Sequence, residues 1–194
     1  MNSLLRTFQG QYSYHFNIEA LHQPDIALDR SKAKGGNMVL WQSSLDPFVT
    51  VIPTSSPAVL AVSFTPPNHQ ISFHVSLYLP TAGQEVQFIS ALSGLDACLE
   101  DIVSNNDDPN IFIRGDANVN PKNTSRVPVF RHLLEKYNLQ QIDLKHPTYH
   151  HFLGQGEFDS SLDVILHVKK STITEKIKSI VCKLQHPLVQ SHHD

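Results

Sequence analysis

The chain has 194 residues, 40% hydrophobic and 17% charged, with a formal net charge of −3 and a pI near 6.4. That length accommodates one domain with a real core, and the composition excludes a disordered chain. The acidic balance argues against a surface that holds nucleic acid by phosphate neutralisation over its whole area, though an acidic metal site beside a local basic rim remains compatible with it.

No apolar run approaches the roughly 20 residues that span a bilayer, and residues 1–10 lack the apolar stretch of a signal peptide. Cys98 and Cys182 lie far apart in apolar patterns, which suits reduced thiols in the cytoplasm or nucleus. Twelve histidines is a high count, and several are clustered.

In chain order, residues 12–21 fit either a strand or a short helix, and 31–36 (SKAKGG) form a loop. Four short segments rich in β-branched or aromatic residues follow: 37–42 (NMVLWQ), 48–53 (FVTVIP), 58–64 (AVLAVSF) and 70–79 (QISFHVSLYL). Their tight spacing predicts antiparallel hairpins, since a parallel crossover needs a dozen or more residues. Residues 85–104 carry Phe88, Ile89, Leu92, Leu95, Leu99 and Ile102 at helical spacing, the clearest helix of the chain. A turn cluster at 105–110 precedes a short buried strand at 111–113. A second helix is predicted over 127–137, an extended segment over 139–144 and a strand over 162–168 (LDVILHV). Residues 175–184 continue as strand or helix. Alternating apolar runs and polar helical stretches predict an α/β protein.

Four places carry chemistry. In Ile113-Arg114-Gly115-Asp116-Ala117-Asn118 an apolar strand delivers a carboxylate and a carboxamide two positions apart. In extended chain these share a face, so Asp116 and Asn118 are expected to point at one spot, with Gly115 allowing a tight turn and close approach of a substrate. Asp116 suits Mg²⁺, and the amide can donate to a phosphate oxygen. The plainer alternative is a strand closed by an Asx-turn. Asp163 sits inside an apolar strand, where a carboxylate needs a partner, and a histidine that it orients would serve; the alternative is a solvated strand face. Ser191-His192-His193-Asp194 offers a histidine to a phosphate, although a polar chain end is commonly disordered. Tyr78, before Pro80, can present its hydroxyl to a phosphate or serve as a rim aromatic. His146, His150 and His151 suggest zinc, but neighbouring histidines of a strand face opposite ways and no cysteine lies at finger spacing.

Taken in order, these pieces resemble the endonuclease/exonuclease/phosphatase superfamily, and most closely the endonuclease domain of non-LTR (LINE-type) retrotransposons. The strand-Tyr-x-Pro segment matches Ser76 to Pro80, Gly-Asp-x-Asn matches Gly115 to Asn118, Ser-x-x-Asp matches Ser160 to Asp163, and the closing Ser-Asp-His matches Ser191 to His193. His146-Pro147-Thr148-Tyr149 and the strand start at Gly35-Gly36 are similar to the retroelement and apurinic-site branch.

The resemblance covers about 35–194 and leaves 1–34 as a divergent N-terminal segment. It implies a two-sheet α/β sandwich flanked by helices, DNase I-like, expected to be incomplete at both ends. It also implies Mg²⁺ or Mn²⁺, and in-line attack of water on DNA or another phosphodiester. Carried over by position, Asp116 would position or activate the water, Asn118 and Tyr78 would contact the phosphate, and Asp163 would orient His193, which would stabilise the phosphorane.

Three departures stand out. The family's opening Asn and metal-binding Glu are missing: Arg30 and Ser31 occupy the area where Glu is expected, and Asn17, Glu19 or Asp25 would have to substitute. His192 replaces the carboxylate of Ser-Asp-His, leaving His192 and Asp116 as weak metal ligands. Thr81 replaces a common phosphate-binding Asn. Mg²⁺ relies on one or two carboxylates, so the expectation is a phosphodiesterase-type domain with weak or no catalysis. The alternatives are a catalytically dead retroelement-derived binding module and a histidine-rich interaction module.

Overall fold

The computed structural model describes residues 11–17, 37–120, 125–142, 149–153, 156–160 and 163–168. The expectations for 31–36 and 175–184 lie outside them. Ten strands and two α-helices are described. A hairpin of β1 (Tyr12–Asn17) and β2 (Asn37–Gln42) forms a two-stranded antiparallel sheet. A six-stranded sheet follows the order β3 (Val49–Ile52), β4 (Val59–Phe64), β5 (Ser72–Tyr78), β6 (Asn110–Asp116), β10 (Asp163–Val168), β7 (Leu139–Gln141). A third sheet is the hairpin of β8 (Tyr149–Leu153) and β9 (Gly156–Ser160), which the turn-rich sequence around Gly154 and Gly156 did not announce. Helices α1 (Glu85–Ser104) and α2 (Arg126–Lys136) lie close to their expected bounds.

The expected hairpins are present at β3–β4 and β4–β5, both antiparallel. The chain between β2 and β3 behaves differently. Residues Ser43–Phe48 wind into a 3-10 helix containing Pro47, so β2 does not turn back on β3 and pairs with β1 instead. Trp41 Nε1 donates to Asp46 Oδ1 at 2.7 Å across that helix. The segment left open between strand and helix, 12–21, is therefore a strand over Tyr12–Asn17.

β5 and β6 are parallel, joined by α1 as a crossover. The buried stripe of α1 is Phe88, Leu92, Leu95, Leu99 and Ile102, while Ile89 turns outward. Its last turn closes on asparagines: the side-chain amides of Asn105 and Asn106 donate to the carbonyls of Asp101 and Ile102 at 2.8 Å each. These are the carbonyls that a helix end leaves without partners.

The stripe packs on Val59, Ala61, Phe73, Val75, Leu77, Ile111, Ile113, Val164 and Leu166, one face of the six-stranded sheet, with Phe130 and Leu133 of α2 completing the core. Each large aliphatic side chain buried there contributes roughly 1.5–3 kcal/mol. The β1–β2 hairpin lies over the opposite face. Buried Asn37 ties it down: its Nδ2 donates to Ala58 O at 2.7 Å, and its Oδ1 accepts from Ser76 Oγ at 3.3 Å. Leu60 and Val62, on this second face of β4, are buried as well. The architecture is an α/β two-sheet sandwich with its helices on the outer side of the larger sheet.

Candidate active site

Strand register brings three of the expected residues into one row. Tyr78 ends β5, Asp116 ends β6 and Asp163 opens β10. Tyr78 is paired with Asp116 in the parallel ladder, and Asp116 with Asp163 in the antiparallel one. Paired residues point to the same face and sit about 5 Å apart at Cα. That face is the one turned from the helices, because the alternate residues Leu77 and Val164 lie in the core.

Asp116 is half-buried, and burial is the main reason its carboxyl is held above the ordinary value of 3.8. The backbone N–H of Asn118 opposes this by donating to Asp116 Oδ1 at 2.9 Å, and the charge of Asp163 adds to the rise. Two carboxylates side by side thus share a site that favours neutralisation of Asp116.

Asn118 does not extend the strand. Its φ of 47° is left-handed, and the bond from its N–H to Asp116 makes the turn an Asx-turn. The premise that Asp116 and Asn118 share a strand face fails here, because β6 stops at Asp116. The Asn118 side chain is buried, and its Nδ2 donates to Leu79 O at 2.6 Å, tying the end of β6 to the end of β5. Leu79 N–H returns a bond to Asp116 O at 2.8 Å. Gly115 also differs from expectation. Its φ is 140°, and a Cβ there would sit 1.9 Å from Leu77 O, so the close approach it permits is that of β5, not of a substrate.

Arg126 is the residue that sequence reasoning missed. Only 1% of its side chain is exposed, and it opens α2. Its Nε donates to Glu85 Oε2 at 2.9 Å, and Nη1 to Pro80 O at 2.6 Å and Asn118 O at 3.2 Å. Nη2 donates to Thr81 O at 2.8 Å, and the guanidinium lies 4.2 Å from the centroid of Phe88. It fastens the loops that follow Tyr78 and Asp116 to one another. Thr81, expected to weaken phosphate binding, serves as one of its acceptors. A signal existed in the sequence: a cation at the first position of a helix opposes the helix dipole, and so calls for a compensating partner.

His192 and His193 lie outside the described residues, as do Glu19, Asp25, Arg30, Gly35, His146 and Cys182. Asn17 ends β1. His150 and His151 lie in β8.

No protein-family model and no curated protein sequence matches the chain. Solved structures do. The endonuclease domain of TRAS1, a telomere-specific non-LTR retrotransposon, superposes with a TM-score of 0.54 at 15% identity, over 69% of this chain and 60% of that one. The human Nocturnin catalytic domain, with a bound sulfate anion, gives 0.57 at 16% identity, over 86% and 63%. The mannosyl-6-phosphatase Bt3783 of Bacteroides thetaiotaomicron gives 0.56 at 11%, over 87% and 67%. A further match, also from Bacteroides thetaiotaomicron, carries the family description endonuclease/exonuclease/phosphatase outright.

The chain has the endonuclease/exonuclease/phosphatase fold. It spans about three fifths of the length of the TRAS1 and Nocturnin structures. At such identities the likeness is one of fold, and the chemistry must be argued from the residues of this chain.

The divalent cation expected of an endonuclease/exonuclease/phosphatase domain fits these residues in kind. Asp116 and Asp163 are adjacent hard-oxygen donors, and a cation at the row would relieve the repulsion that helps raise the Asp116 carboxyl. Among the described residues no group of three or more His, Cys, Asp and Glu is gathered closely enough to hold a metal ion. No described helix is long and apolar enough to cross a membrane.

Proposed function

We propose that this chain is a phosphodiester-hydrolase-type domain with weak catalysis, acting on DNA or a similar phosphodiester. The observation that carries the reading is the Tyr78–Asp116–Asp163 row at the ends of three neighbouring strands. Asp116 orients or deprotonates the attacking water, and its raised proton affinity suits a base. Tyr78 presents its hydroxyl to a phosphate oxygen. Asp163 orients His193, whose imidazolium would balance charge on the phosphorane. Asn118, with its amide on Leu79 O, holds the turn that aims Asp116 and acts as a positioning residue.

Asp116, with Asp163 beside it and His192 as the remaining ligand, would hold Mg²⁺ or Mn²⁺. Such an ion supplies neutralisation of the charge that develops on the phosphoryl oxygens. With so few carboxylates the affinity is low, and loss of several kcal/mol of transition-state stabilisation slows the reaction by orders of magnitude. The TRAS1 domain is an endonuclease by name and Bt3783 a sugar phosphatase, so the fold serves both diesters and monoesters. The retroelement-like motif order supports the former for this chain.

The test is nicking of supercoiled plasmid with Mg²⁺ and with Mn²⁺, beside Asp116→Ala. Slow, metal-dependent nicking that disappears in the variant is expected. A folded protein that never nicks would instead mean a dead domain of the same fold, a reading favoured by the lack of a three-ligand cluster among the described residues.

A further inference from the structure

Beneath the Tyr78–Asp116–Asp163 row, on the same face of the sheet, lies a cavity of about 420 Å³ between β2 and strands β4, β5 and β6. That size is within the range of small-ligand sites, roughly 300–1,000 Å³. Its walls are mostly apolar, with Met38 and Leu40 on the hairpin side, and include three aromatic residues, Trp41, Phe64 and Phe112. Among the described residues no Asp, Glu or Lys lines it.

Arg114 does line it. Arg114 is exposed on β6, two positions before Asp116 and so on the same face, about 7 Å away along the strand. Its backbone belongs to the ladders with β5 and β10, but no hydrogen bond or ion pair joins its side chain to any described residue. The adjacent His74 is stacked on Phe112 at 5.3 Å. Burial, and secondarily Arg114 itself, lowers its pKa to about 4. At neutral pH the guanidinium is therefore the charge among the described lining residues of the cavity. A guanidinium without a side-chain partner among the described residues, beside aromatic walls, asks for a ligand with a flat apolar body and an anionic oxygen group, and its fork of donors matches phosphate.

We propose that this cavity is a nucleotide subsite, in which Arg114 pairs with a phosphate and the base lies against the wall formed by Trp41, Phe64 and Phe112. The inference rests on the phosphodiester reading above and extends it from the reacting group to the neighbouring nucleotide. The ligand is a nucleoside phosphate, whether free or as a unit of a strand.

Trp41 is the single tryptophan of the chain and lines the cavity, so its emission reports occupancy without any need for turnover. The full chain is titrated with AMP, adenosine, inorganic phosphate and a short oligothymidylate, by fluorescence and by calorimetry. AMP is expected to saturate the signal, with adenosine and phosphate each at least tenfold weaker. Arg114→Gln should weaken AMP at least tenfold and Arg114→Lys by less, while Lys136→Gln, on the helical side, should leave binding unchanged. Arg114 is exposed, so its variants are expected to keep the fold, checked by circular dichroism.

An oligothymidylate that outcompetes AMP in an Arg114-dependent way assigns the subsite to a strand, and the reverse order to a free nucleotide. AMP binding that ignores Arg114, or no binding by either method at millimolar AMP, overturns the proposal. The two readings fail separately: absent nicking with intact AMP binding removes catalysis but keeps the subsite, and nicking with AMP binding blind to Arg114 does the opposite.

Discussion

The two faces of the six-stranded sheet are built from the same strands and have almost nothing else in common. On the helical side Phe73, Val75, Leu77, Ile111, Ile113, Val164 and Leu166 form a closed apolar surface. On the side of the hairpin, the residues alternating with them include His74, Ser76, Tyr78, Phe112, Arg114, Asp116, Asp163 and Ile165, none of them fully buried, while His167 and, on β4, Leu60 and Val62 close the rest of that face. One face is saturated with contacts and fixes stability. The other keeps charge, hydroxyl and imidazole partly in water and leaves space. The period of two along a strand lets one stretch of seven residues serve both ends at once.

The largest expected effect breaks the comparison at adjacent positions. Ile113→Ala should cost about 4 kcal/mol in denaturant unfolding, and Phe112→Ala, its neighbour on the open face, about 1 kcal/mol. Equal losses would mean that the faces are not energetically distinct. Next comes Arg126→Ala, which removes the cation joining the ends of β5 and β6. A loss of about 3 kcal/mol is expected, since Pro80, Thr81 and Asn118 would lose their shared donor. A change below about 0.5 kcal/mol, the scale of ordinary surface substitutions, would show that the loops hold themselves.

His74 sharpens the contrast through pH. Its folded pKa, about 4, lies below the ordinary 6.5, so the unfolded chain takes up the proton first. Stability is therefore lost as pH falls from 6.5 toward 4. His74→Gln should remove roughly 2 kcal/mol of that acid sensitivity, seen as a flatter profile of Tm against pH. The smallest effect belongs to Asp116. Its folded pKa is raised, so its contribution to stability is present below the ordinary 3.8 and is lost as pH rises through the folded value. Asp116→Asn should then raise Tm slightly at pH 7, and the gain should fade in acid. A variant less stable than the parent at pH 7 would contradict the burial and repulsion assigned to that carboxyl.

What the sequence disclosed follows the same division. The apolar periodicity of 85–104 and the β-branched runs at 37–42, 58–64 and 162–168 made their elements legible, because burial of one stripe or face dictates residue type along the chain. Tyr78, Asp116 and Asp163 were legible as a motif order, but only register shows them side by side. The contact between Gly115 and Leu77 and the burial of Arg126 were not legible, and the turn at Asn118 was legible only as the plainer of two alternatives. The cation at the start of α2 only called for some partner; the atoms that decide each case, Leu79 O, Leu77 O and the carboxylate of Glu85, come from distant parts of the chain. The 3-10 helix at Ser43–Phe48 was likewise hidden among strand-like neighbours, though Pro47 marks the interruption afterwards.

One feature of the topology bears on how such a site comes into being. β10 is hydrogen-bonded between β6 and β7, yet follows both in sequence. During synthesis from the N-terminus, β6 waits with one edge unpaired until β10 emerges, and the half-site at Asp116 is complete only when Asp163 slots in beside it. The waiting edge is a vacancy shaped for one extended peptide. A synthetic copy of that strand, supplied in trans while the chain is still short, would compete for the slot, and the enzyme-like face would then be assembled from two molecules instead of one.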